Sequence, residues 1–276
     1  MTLVKHVLAR IGFYVLVAVV GSFFALPLLW LFTAPFHGQA TLSVQIPTQP
    51  TLANFAAVFR NTFAVRALLQ NSVIQAGGAM ILTTLVASLA AYALARVRLP
   101  GRDVLVYILI LFSSVVTGTA AMVPIFLLIY NLGLIDTHLG VILVFTGGLL
   151  PTAIFIMRDF VAGLPRSLEE SAMVAGAGSW QILRQIVLPQ VRPGMMVIAV
   201  WAFVNVWGGF LIPFILLRSP DKMPASAATY SFYTESGTPV ITLISAYALL
   251  YVIPALALYL FVNWRYGFKF FGGIKS

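Results

Sequence analysis

Long hydrophobic runs, separated by short polar segments, alternate along the whole chain. A helix needs about 20 mostly apolar residues to cross a bilayer, and six of the runs reach that length. The pattern therefore predicts six transmembrane helices in a single membrane domain that takes up residues 1–276. The predicted spans are 11–34, 68–95, 104–130, 137–157, 193–217 and 240–263.

The first hydrophobic run follows Lys5, His6 and Arg10, as the apolar part of a secretory signal peptide would. In a cleaved signal that part is only about 7–15 residues long. Because this run continues without a charged residue from Ile11 to Phe36, we interpret it as a retained first span.

The composition excludes a soluble globular domain. Hydrophobic residues make up 61% of the chain and charged residues only 8%, whereas soluble domains have about 25% charged residues. A chain with so much aliphatic and aromatic surface must bury it, and lipid is the remaining solvent. The sequence therefore predicts an all-α, multi-pass protein of the cell membrane.

The positive charge lies mainly in segments that the six spans place on one side. The net charge is +9, and cytoplasmic loops of membrane proteins collect Lys and Arg. The side of the two termini has twelve basic residues: Lys5, Arg10, Arg96, Arg98, Arg102, Arg158, Arg166, Arg184, Arg192, Arg265, Lys269 and Lys275. The other side has Arg60, Arg66, Arg218 and Lys222. We therefore expect both termini and the loop at 164–192 in the cytoplasm, and no nucleic-acid partner.

The predicted spans lack the residues that ion-coupled transport or ATP hydrolysis would need. Transporters driven by protons or sodium usually keep an ionisable residue near the bilayer midplane, and no predicted span has one in its interior. Asp136, Asp159 and Glu235 fall at span ends or in loops, where we interpret them as solvated charges. The chain also lacks the phosphate-binding motif G-x-x-x-x-G-K-[ST]. Any energy coupling would therefore have to come from another chain.

Catalysis by this chain is not expected. It has no cysteine, and its three histidines, His6, His37 and His138, are far apart and lack the spacing of metal ligands. We therefore predict a transport subunit with no catalytic residue, no metal and no cofactor of its own.

Uncharged polar residues within the spans are the candidates for a solute path. They are Asn71, Ser72 and Gln75 in the second span, Ser113, Ser114, Thr117 and Thr119 in the third, and Asn205 in the fifth. Such groups either form hydrogen bonds between helices or line a route for a neutral solute. The sequence leaves both alternatives open.

The loop at 164–192 has the most informative local pattern. Ser167 and Glu170 have the spacing of a capping box, in which each side chain binds a backbone N–H at the helix start. Gly176 is typical of a helix end, since glycine accepts the left-handed conformation found there. The sequence therefore predicts a short helix, followed by a second helix over 179–187 that Leu188-Pro189 ends.

The short helix has acidic and small residues rather than basic ones. Helices that lie on a lipid surface tend to be rich in Lys and Arg, whereas this helix has Glu169, Glu170 and a single Arg166. We therefore favour docking to a protein over an interfacial helix.

The loop sequence resembles a known family motif. Glu170-Ser171-Ala172, followed by Ala175-Gly176-Ala177 and then by Ile186-Val187-Leu188-Pro189, is similar to the E-A-A-x-x-x-G loop of binding-protein-dependent ABC importer permeases. Residues 54–55, 71–72, 91–96, 132–137 and 272–275 also resemble carbohydrate-importer permeases of the maltose and trehalose type. The resemblance thus extends over nearly the whole chain.

This resemblance implies an ABC importer type I permease fold and a set of partners. The partners are a second, similar permease that forms a heterodimer with this chain, two cytoplasmic ATPase subunits and an extracytoplasmic solute-binding protein. ATP and magnesium would bind to the ATPase and not to this chain. The solute would be a sugar, such as a di- or oligosaccharide or a related glycoside, that crosses by alternating access.

The resemblance also implies roles for individual residues. The loop helix would be the coupling helix, which sits in a cleft of the ATPase. Glu170 would make the polar contact there, and Ala172 and Gly176 would permit close approach. The complete docking set is Glu169, Glu170, Ala172, Gly176, Leu188, Pro189, Gly272, Gly273 and Lys275. The candidates for the sugar path are Asn71, Ser114, Asn205 and Trp207.

Two positions depart from the family pattern. Relatives usually have Asp where this chain has Ala175, so docking would rely more on Glu169, Glu170 or the second permease. Relatives often have Trp-Asn and an acidic residue where this chain has Trp207-Gly208-Gly209, which removes two polar groups near the sugar path. Two alternatives stay open: an importer for another small solute such as glycerol-phosphate, and an ATP-independent secondary transporter or channel.

Overall fold

The computed structural model describes residues 2–39, 44–96, 101, 104, 107–108, 111 and 119–266. Within these residues every regular element is helical, and strand-like pairing is limited to an isolated bridge between Tyr233 and Pro239. The all-helical class predicted from the sequence is confirmed. The α-helices are α1 (Thr2–Thr33), α2 (Ala53–Arg60), α3 (Thr62–Arg66), α4 (Ser72–Arg96), α5 (Met122–Asn131), α6 (His138–Ala162), α7 (Arg166–Val174), α8 (Ser179–Ile182), α9 (Leu188–Gln190), α10 (Arg192–Trp207), α11 (Leu211–Leu216), α12 (Ala225–Ala228) and α13 (Ile241–Tyr266).

Four of the described helices are long and apolar enough to cross a membrane: Arg10–Phe36, Thr62–Arg96, His138–Ala162 and Ile241–Tyr266. A fifth candidate is the pair Ser179–Gln190 and Arg192–Trp207, which is bent by 71°. These helices lie at the first, second, fourth, sixth and fifth predicted spans. Of the predicted third span, 104–130, residues 105–106, 109–110 and 112–118 lie outside the described residues, and α5 covers its last part.

The second span is one helical run of 35 residues, Thr62–Arg96. A π turn over Ala67–Asn71 joins α3 to α4, and such turns insert an extra residue into the helical ladder. Asn71 at the end of this turn and Ser72 after it are each only 2% exposed. Asn71 and Ser72 are therefore surrounded by protein, whereas Gln70 in the same turn is exposed.

The predicted fifth span, 193–217, is interrupted. α10 ends at Trp207 and the helix resumes as α11 at Leu211. Pro213 has no N–H to bind the carbonyl oxygen of Gly209 four residues earlier, and that oxygen accepts a 2.9 Å hydrogen bond from Ser226 Oγ instead. A Cβ at Gly209 would also collide with the ring of Phe145. The break at 208–210 therefore depends on contacts distant in the sequence.

One compact unit of the chain comprises Arg66–Ala228 and Pro254–Ser276. In its core, small side chains of α4 are buried against residues of α6 and α10. Small residues let helices approach closely in membranes. The buried core cluster is Ala87, Ala91, Ala95, Ala153, Ile154, Met157, Val161, Ile182, Leu183, Val187, Val191 and Ile198.

The other compact unit comprises Met1–Val65 and Thr229–Ile253. Asn54 Nδ2 donates hydrogen bonds of 2.8 Å to the carbonyl oxygens of Pro35 and His37, which fixes α2 to the segment after α1. The most apolar part of α1 buries none of its residues, so its side chains are open to lipid or to another chain. The single domain predicted for residues 1–276 stays a prediction.

Candidate functional site

The loop helix α7 begins at Arg166, before the predicted capping box. Its N-cap residue is Pro165, and no side-chain hydrogen bond caps this end. Proline has a fixed φ that suits the entrance to a helix, so the helix starts before Ser167, whose side chain then lies within the first turn. The predicted capping box of Ser167 and Glu170 is wrong.

The predicted helix end at Gly176 is confirmed. Gly176 has a φ of +85°, its N–H donates to the carbonyl oxygen of Met173 at 2.9 Å, and the N–H of Ala177 donates to the carbonyl oxygen of Ala172 at 2.9 Å. These two bonds are those of a Schellman motif, which satisfies the last carbonyl groups of a helix. α7 is therefore a short helix with a well-defined end.

Two neighbouring acidic residues of α7 have opposite environments. Glu169 is 5% exposed, whereas Glu170 is exposed. Residues three and four positions apart share a helix face, so Met173 and Val174 lie on the side of Glu170, and Val174 is 91% exposed. We call Glu170, Met173 and Val174 the docking face. The sequence reasoning missed Met173 and Val174, although their spacing from Glu170 would have identified them.

The buried Glu169 carboxylate is bound by Arg96, the last residue of α4. Arg96 Nε lies 2.6 Å and its terminal nitrogen 2.5 Å from Glu169 Oε1. Tyr92 donates its hydroxyl to Glu169 Oε2 at 3.2 Å. Arg96 also donates to the carbonyl oxygens of Val161 and Leu164, both at 3.3 Å. Arg96 therefore contacts α4's neighbour α6, the linker after α6, and α7.

Other members of the predicted docking set lie against the spans. Ala172 and Leu188 are partly buried and pack on the buried core cluster, and Pro189 is half-buried. The predicted tail residues Gly272, Gly273 and Lys275 lie outside the described residues.

The second helix of the loop does not end at Leu188-Pro189 as predicted. After α8 comes a π turn over Leu183–Val187, and α9 continues through Pro189 to Gln190. The 71° bend falls at Val191, between α9 and α10. Val187 and Val191 are almost fully buried, so packing of these side chains, and not the proline alone, determines where the chain turns.

A cavity of about 230 Å³ lies between α5, α6, α10 and α11. Asn205 is its polar side chain and the rings of Phe145 and Phe210 its aromatic ones. Asn205 Nδ2 donates to the carbonyl oxygen of Trp201 at 2.8 Å, and its amide oxygen accepts no hydrogen bond from the described residues. The described residues that line it are Met122, Val144, Phe145, Leu149, Asn205, Gly209, Phe210, Leu211 and Ile212.

Trp207 and Asn71, two further candidates for the sugar path, do not line this cavity. Trp207 is 4% exposed and stacks on Phe203 with ring centroids 5.1 Å apart. Asn71 Nδ2 donates to the carbonyl oxygens of Asp221 at 2.8 Å and Met223 at 2.9 Å. The fourth candidate, Ser114, lies outside the described residues.

Polar residues at the same end of α4 form hydrogen bonds between segments. Gln75 Nε2 donates to the carbonyl oxygen of Lys222 at 3.1 Å, and Ser72 Oγ accepts the N–H of Ala225 at 2.8 Å. Of the two alternatives left open for these residues, the structure shows hydrogen bonding between elements for Ser72 and Gln75.

Asp136 is not a solvated charge, in contrast to the interpretation from sequence. Its Oδ1 accepts the N–H groups of Arg218 and Ser219, both at 2.9 Å. Its Oδ2 accepts the hydroxyl of Ser219 at 2.5 Å and Lys222 Nζ at 2.8 Å. The carboxylate therefore joins the loop before α6 to the loop after α11, a contact that sequence alone could not reveal.

No group of three or more potential metal ligands occurs within the described part of the chain. The arrangement of long apolar helices, with a short helix in the loop before α10 and a cavity lined by four helices, is that of a multi-pass membrane protein. More specifically, residues 84–265 match the binding-protein-dependent transport system inner membrane component family, and the chain belongs to that family. The resemblance recognised from the loop motif is confirmed. Since members of this family are transport components, the chain is a transport subunit and not an enzyme.

Three relatives illustrate the similarity. The chain is 33% identical over 199 residues to the diacetylchitobiose uptake system permease protein NgcG of Streptomyces coelicolor, covering 71% of this chain and 65% of that protein. It is 28% identical over 261 residues to the maltodextrin transport system permease protein MdxG of Bacillus subtilis, with 94% and 93% covered. It is 30% identical over 231 residues to the trehalose transport system permease protein SugB of Mycobacterium tuberculosis, with 80% and 81% covered.

Two solved structures share the fold. One is a chain of a bacterial ABC transporter involved in the import of the acidic polysaccharide alginate, with a TM-score of 0.81, 21% identity, and 95% of this chain and 98% of that chain covered. The other is a chain of a bacterial alginate ABC transporter in complex with an alginate pentasaccharide-bound periplasmic protein, with a TM-score of 0.65, 18% identity, and 95% and 96% covered. The ABC importer permease fold expected from the resemblance is therefore confirmed.

Proposed function

We propose that this chain is one of two permease subunits of an ATP-driven ABC importer for a sugar, such as a di- or oligosaccharide. Family membership supports import with a binding protein, and the names of the three relatives refer to diacetylchitobiose, maltodextrin and trehalose. The proposed partners are a second, similar permease, two cytoplasmic ATPase subunits that bind ATP and magnesium, and an extracytoplasmic binding protein.

The docking face of α7 is the observation that carries this proposal. Met173 is 56% and Val174 91% exposed beside the exposed Glu170. The core of a protein interface is more apolar than its rim, and Met is enriched in interfaces relative to the rest of the surface. The helix end at Gly176 is fully hydrogen-bonded, so α7 can enter a cleft as a preformed element. This geometry supports docking into the ATPase.

The cavity supports a neutral solute. Among the described residues, its lining contains aromatic rings and the Asn205 amide but no charged side chain. The apolar face of a sugar ring can stack on an aromatic side chain. Its hydroxyl groups can donate hydrogen bonds to an amide oxygen. In this proposal Asn205 and Phe210 contact the sugar, whereas Asn71 and Trp207 support the path through hydrogen bonding and packing.

The proposed topology has six spans, with both termini and α7 in the cytoplasm of the cell. The distribution of Lys and Arg supports this orientation. ATP binding would close the ATPase dimer and move the two coupling helices together, which turns the permeases from inward-open to outward-open. The sugar shifts this equilibrium only by its difference in affinity for the two states.

The test is purification of the complex from native membranes, identification of its subunits by mass spectrometry, and uptake into proteoliposomes. We expect a second permease, an ATPase and a binding protein, with hydrolysis stimulated by a sugar. Glu170→Lys should lower uptake about tenfold or more, because it reverses the charge of the docking face. The two permeases should still purify together.

Glu235→Lys is the matched control, because Glu235 is exposed and undergoes the same charge change outside α7. Its uptake should stay within about twofold of the wild type, as for most surface substitutions. Uptake driven by an ion gradient without ATP would support a secondary transporter. Recovery of this chain alone, without ATP hydrolysis, would support a channel. Stimulation by a polyol phosphate but by no sugar would contradict the proposed substrate.

A further inference from the structure

We infer that Arg96 is a positioning residue that, through Glu169, fixes α7 to the ends of α4 and α6, so that movement of the docking face reaches the spans. The inference rests on the proposed function, because it concerns how ATPase movement is transmitted. It divides the acidic pair of α7 into two roles: Glu170 faces the partner, and Glu169 holds the helix in place.

Arg96 binds the Glu169 carboxylate and two backbone carbonyl groups at the same time. Both carboxylate oxygens of Glu169 are engaged, Oε1 by Arg96 and Oε2 by Tyr92. Nη2 of Arg96 also donates to the carbonyl oxygens of Val161, in the last turn of α6, and Leu164, in the linker to α7. One guanidinium therefore fixes three consecutive parts of the chain relative to α4.

Burial makes this arrangement stiff. The side chain of Arg96 is 13% and that of Glu169 6% exposed, so water hardly competes for the ion pair. Loss of one partner would leave a buried charge without compensation. The planar guanidinium of Arg96 also constrains the direction of its hydrogen bonds to Glu169, whereas a lysine ammonium constrains only the distance. A carboxylate with both oxygens occupied inside the protein is unsuited to bind an ATPase.

Transmission follows from the position of the pair on the helix. Glu169 and Glu170 are adjacent in the sequence and lie about 100° apart around α7, so that one is buried and the other exposed. A force applied to the docking face is therefore carried through the helix to Glu169 and from there to α4 and α6. Without the ion pair, α7 could still dock but could reorient against the spans.

The absence of cysteine in the chain allows a direct experiment. Arg96→Cys/Glu169→Cys removes the ion pair and introduces two thiols that a short, cleavable cross-linker with a thiol-reactive group at each end can join. In the complete reconstituted complex we expect the ratio of sugar taken up to ATP hydrolysed to fall about fivefold or more in the untreated variant. Cross-linking should restore the ratio, and cleavage of the linker should lower it again.

Two further variants separate positioning from folding. Arg96→Met/Glu169→Leu replaces the ion pair with apolar side chains, a change that buried pairs often tolerate, and should assemble while showing the same lower ratio. Arg96→Lys keeps the charge and should give an intermediate ratio. The single cysteine variants, treated with the same reagent, should show no recovery.

The outcomes distinguish this inference from the proposed function. A wild-type complex without ATP-dependent uptake would overturn the proposed function. A coupled wild type together with double variants that keep the wild-type ratio would overturn the inference. Loss of assembly in both double variants would make the pair a folding element, which also contradicts a positioning role.

Discussion

Asp136 lies at a backbone φ of 58°, and its carboxylate is held by donors from the loop after α11. Burial by itself raises the pKa of this carboxyl. The hydrogen bonds from Lys222, from the hydroxyl and N–H of Ser219 and from the N–H of Arg218 outweigh burial and hold the pKa well below its usual range. The charged form of Asp136 therefore stabilises the folded protein.

We expect Asp136→Asn to lower the free energy of unfolding in the purified complex by about 1–3 kcal/mol at pH 7, since the neutral amide cannot form an ion pair with Lys222. Because the folded pKa is lowered, the stabilisation is complete above the ordinary carboxyl value and decreases as the pH falls below about 4. Melting curves from pH 7 down to about pH 2 should show a constant difference between the two proteins above about pH 4 and convergence below it.

Asp159→Asn is the control for this prediction. The Asp159 side chain is 66% exposed and lies 4.0 Å from Arg158, so its removal should change stability by less than about 0.5 kcal/mol. Equal melting of the wild type and Asp136→Asn at pH 7, or a difference that grows in acid, would contradict the role of Asp136.

At this scale, local features were predictable and distant pairs were not. Gly176 could be identified as a helix end because glycine's freedom at positive φ is a property of the residue itself. The partners Arg96 and Glu169 are 73 positions apart, and Asp136 and Lys222 are 86 apart. No short-range pattern links such residues, so neither the ion pair of Arg96 and Glu169 nor that of Asp136 and Lys222 is predictable from the sequence.

The helices α6 and α10 meet at a glycine. Gly194 of α10 is buried, and a Cβ at this position would come 2.5 Å from Cγ of the Phe160 ring in α6. Cγ is the ring atom nearest the backbone, so rotation of the ring cannot relieve the contact. The close approach of these two helices therefore requires glycine.

Gly194→Val should destabilise the protein by about 1–3 kcal/mol through overpacking, measured as loss of folded complex on heating in detergent. Gly147→Val is the matched control, because Gly147 lies on α6 with nothing within 4 Å of its added Cβ and valine is a better helix former than glycine. If Gly194→Val were as stable as the wild type, or if both variants lost the same amount of folded complex, close packing of α6 and α10 at Gly194 would not contribute to stability.

The lengths of the helices follow from sequence, but their irregularities do not. Apolar runs of about 20 residues predict helices such as α6 and α13, because every backbone group must be paired in lipid. The break at 208–210 instead depends on Ser226 and Phe145. The bend at Val191 likewise depends on how Val187 and Val191 pack in the core. Neither irregularity of the fifth span is therefore predictable from the sequence.

For the whole molecule, charge and composition are informative because they need no knowledge of contacts. A chain with 8% charged residues and no cysteine is identifiable as a membrane protein, and the order of its motifs indicates its family. The excess of Lys and Arg on one side predicts its orientation. Ser179 in the loop of α7 and Ser236 after α12 are both exposed and lie on opposite sides of the proposed fifth span.

Labelling of single cysteines tests this orientation, since the wild type provides a background without thiols. We expect a membrane-impermeant maleimide to label Ser236→Cys in intact cells, and His6→Cys and Ser179→Cys only after the membrane is opened, because basic loops stay in the cytoplasm. A permeant maleimide should label all three, which controls for accessibility. The reverse pattern would invert the topology and remove α7 from any cytoplasmic ATPase. Labelling of Ser179→Cys and Ser236→Cys from the same side would instead mean that α10 and α11 enter the membrane without crossing it.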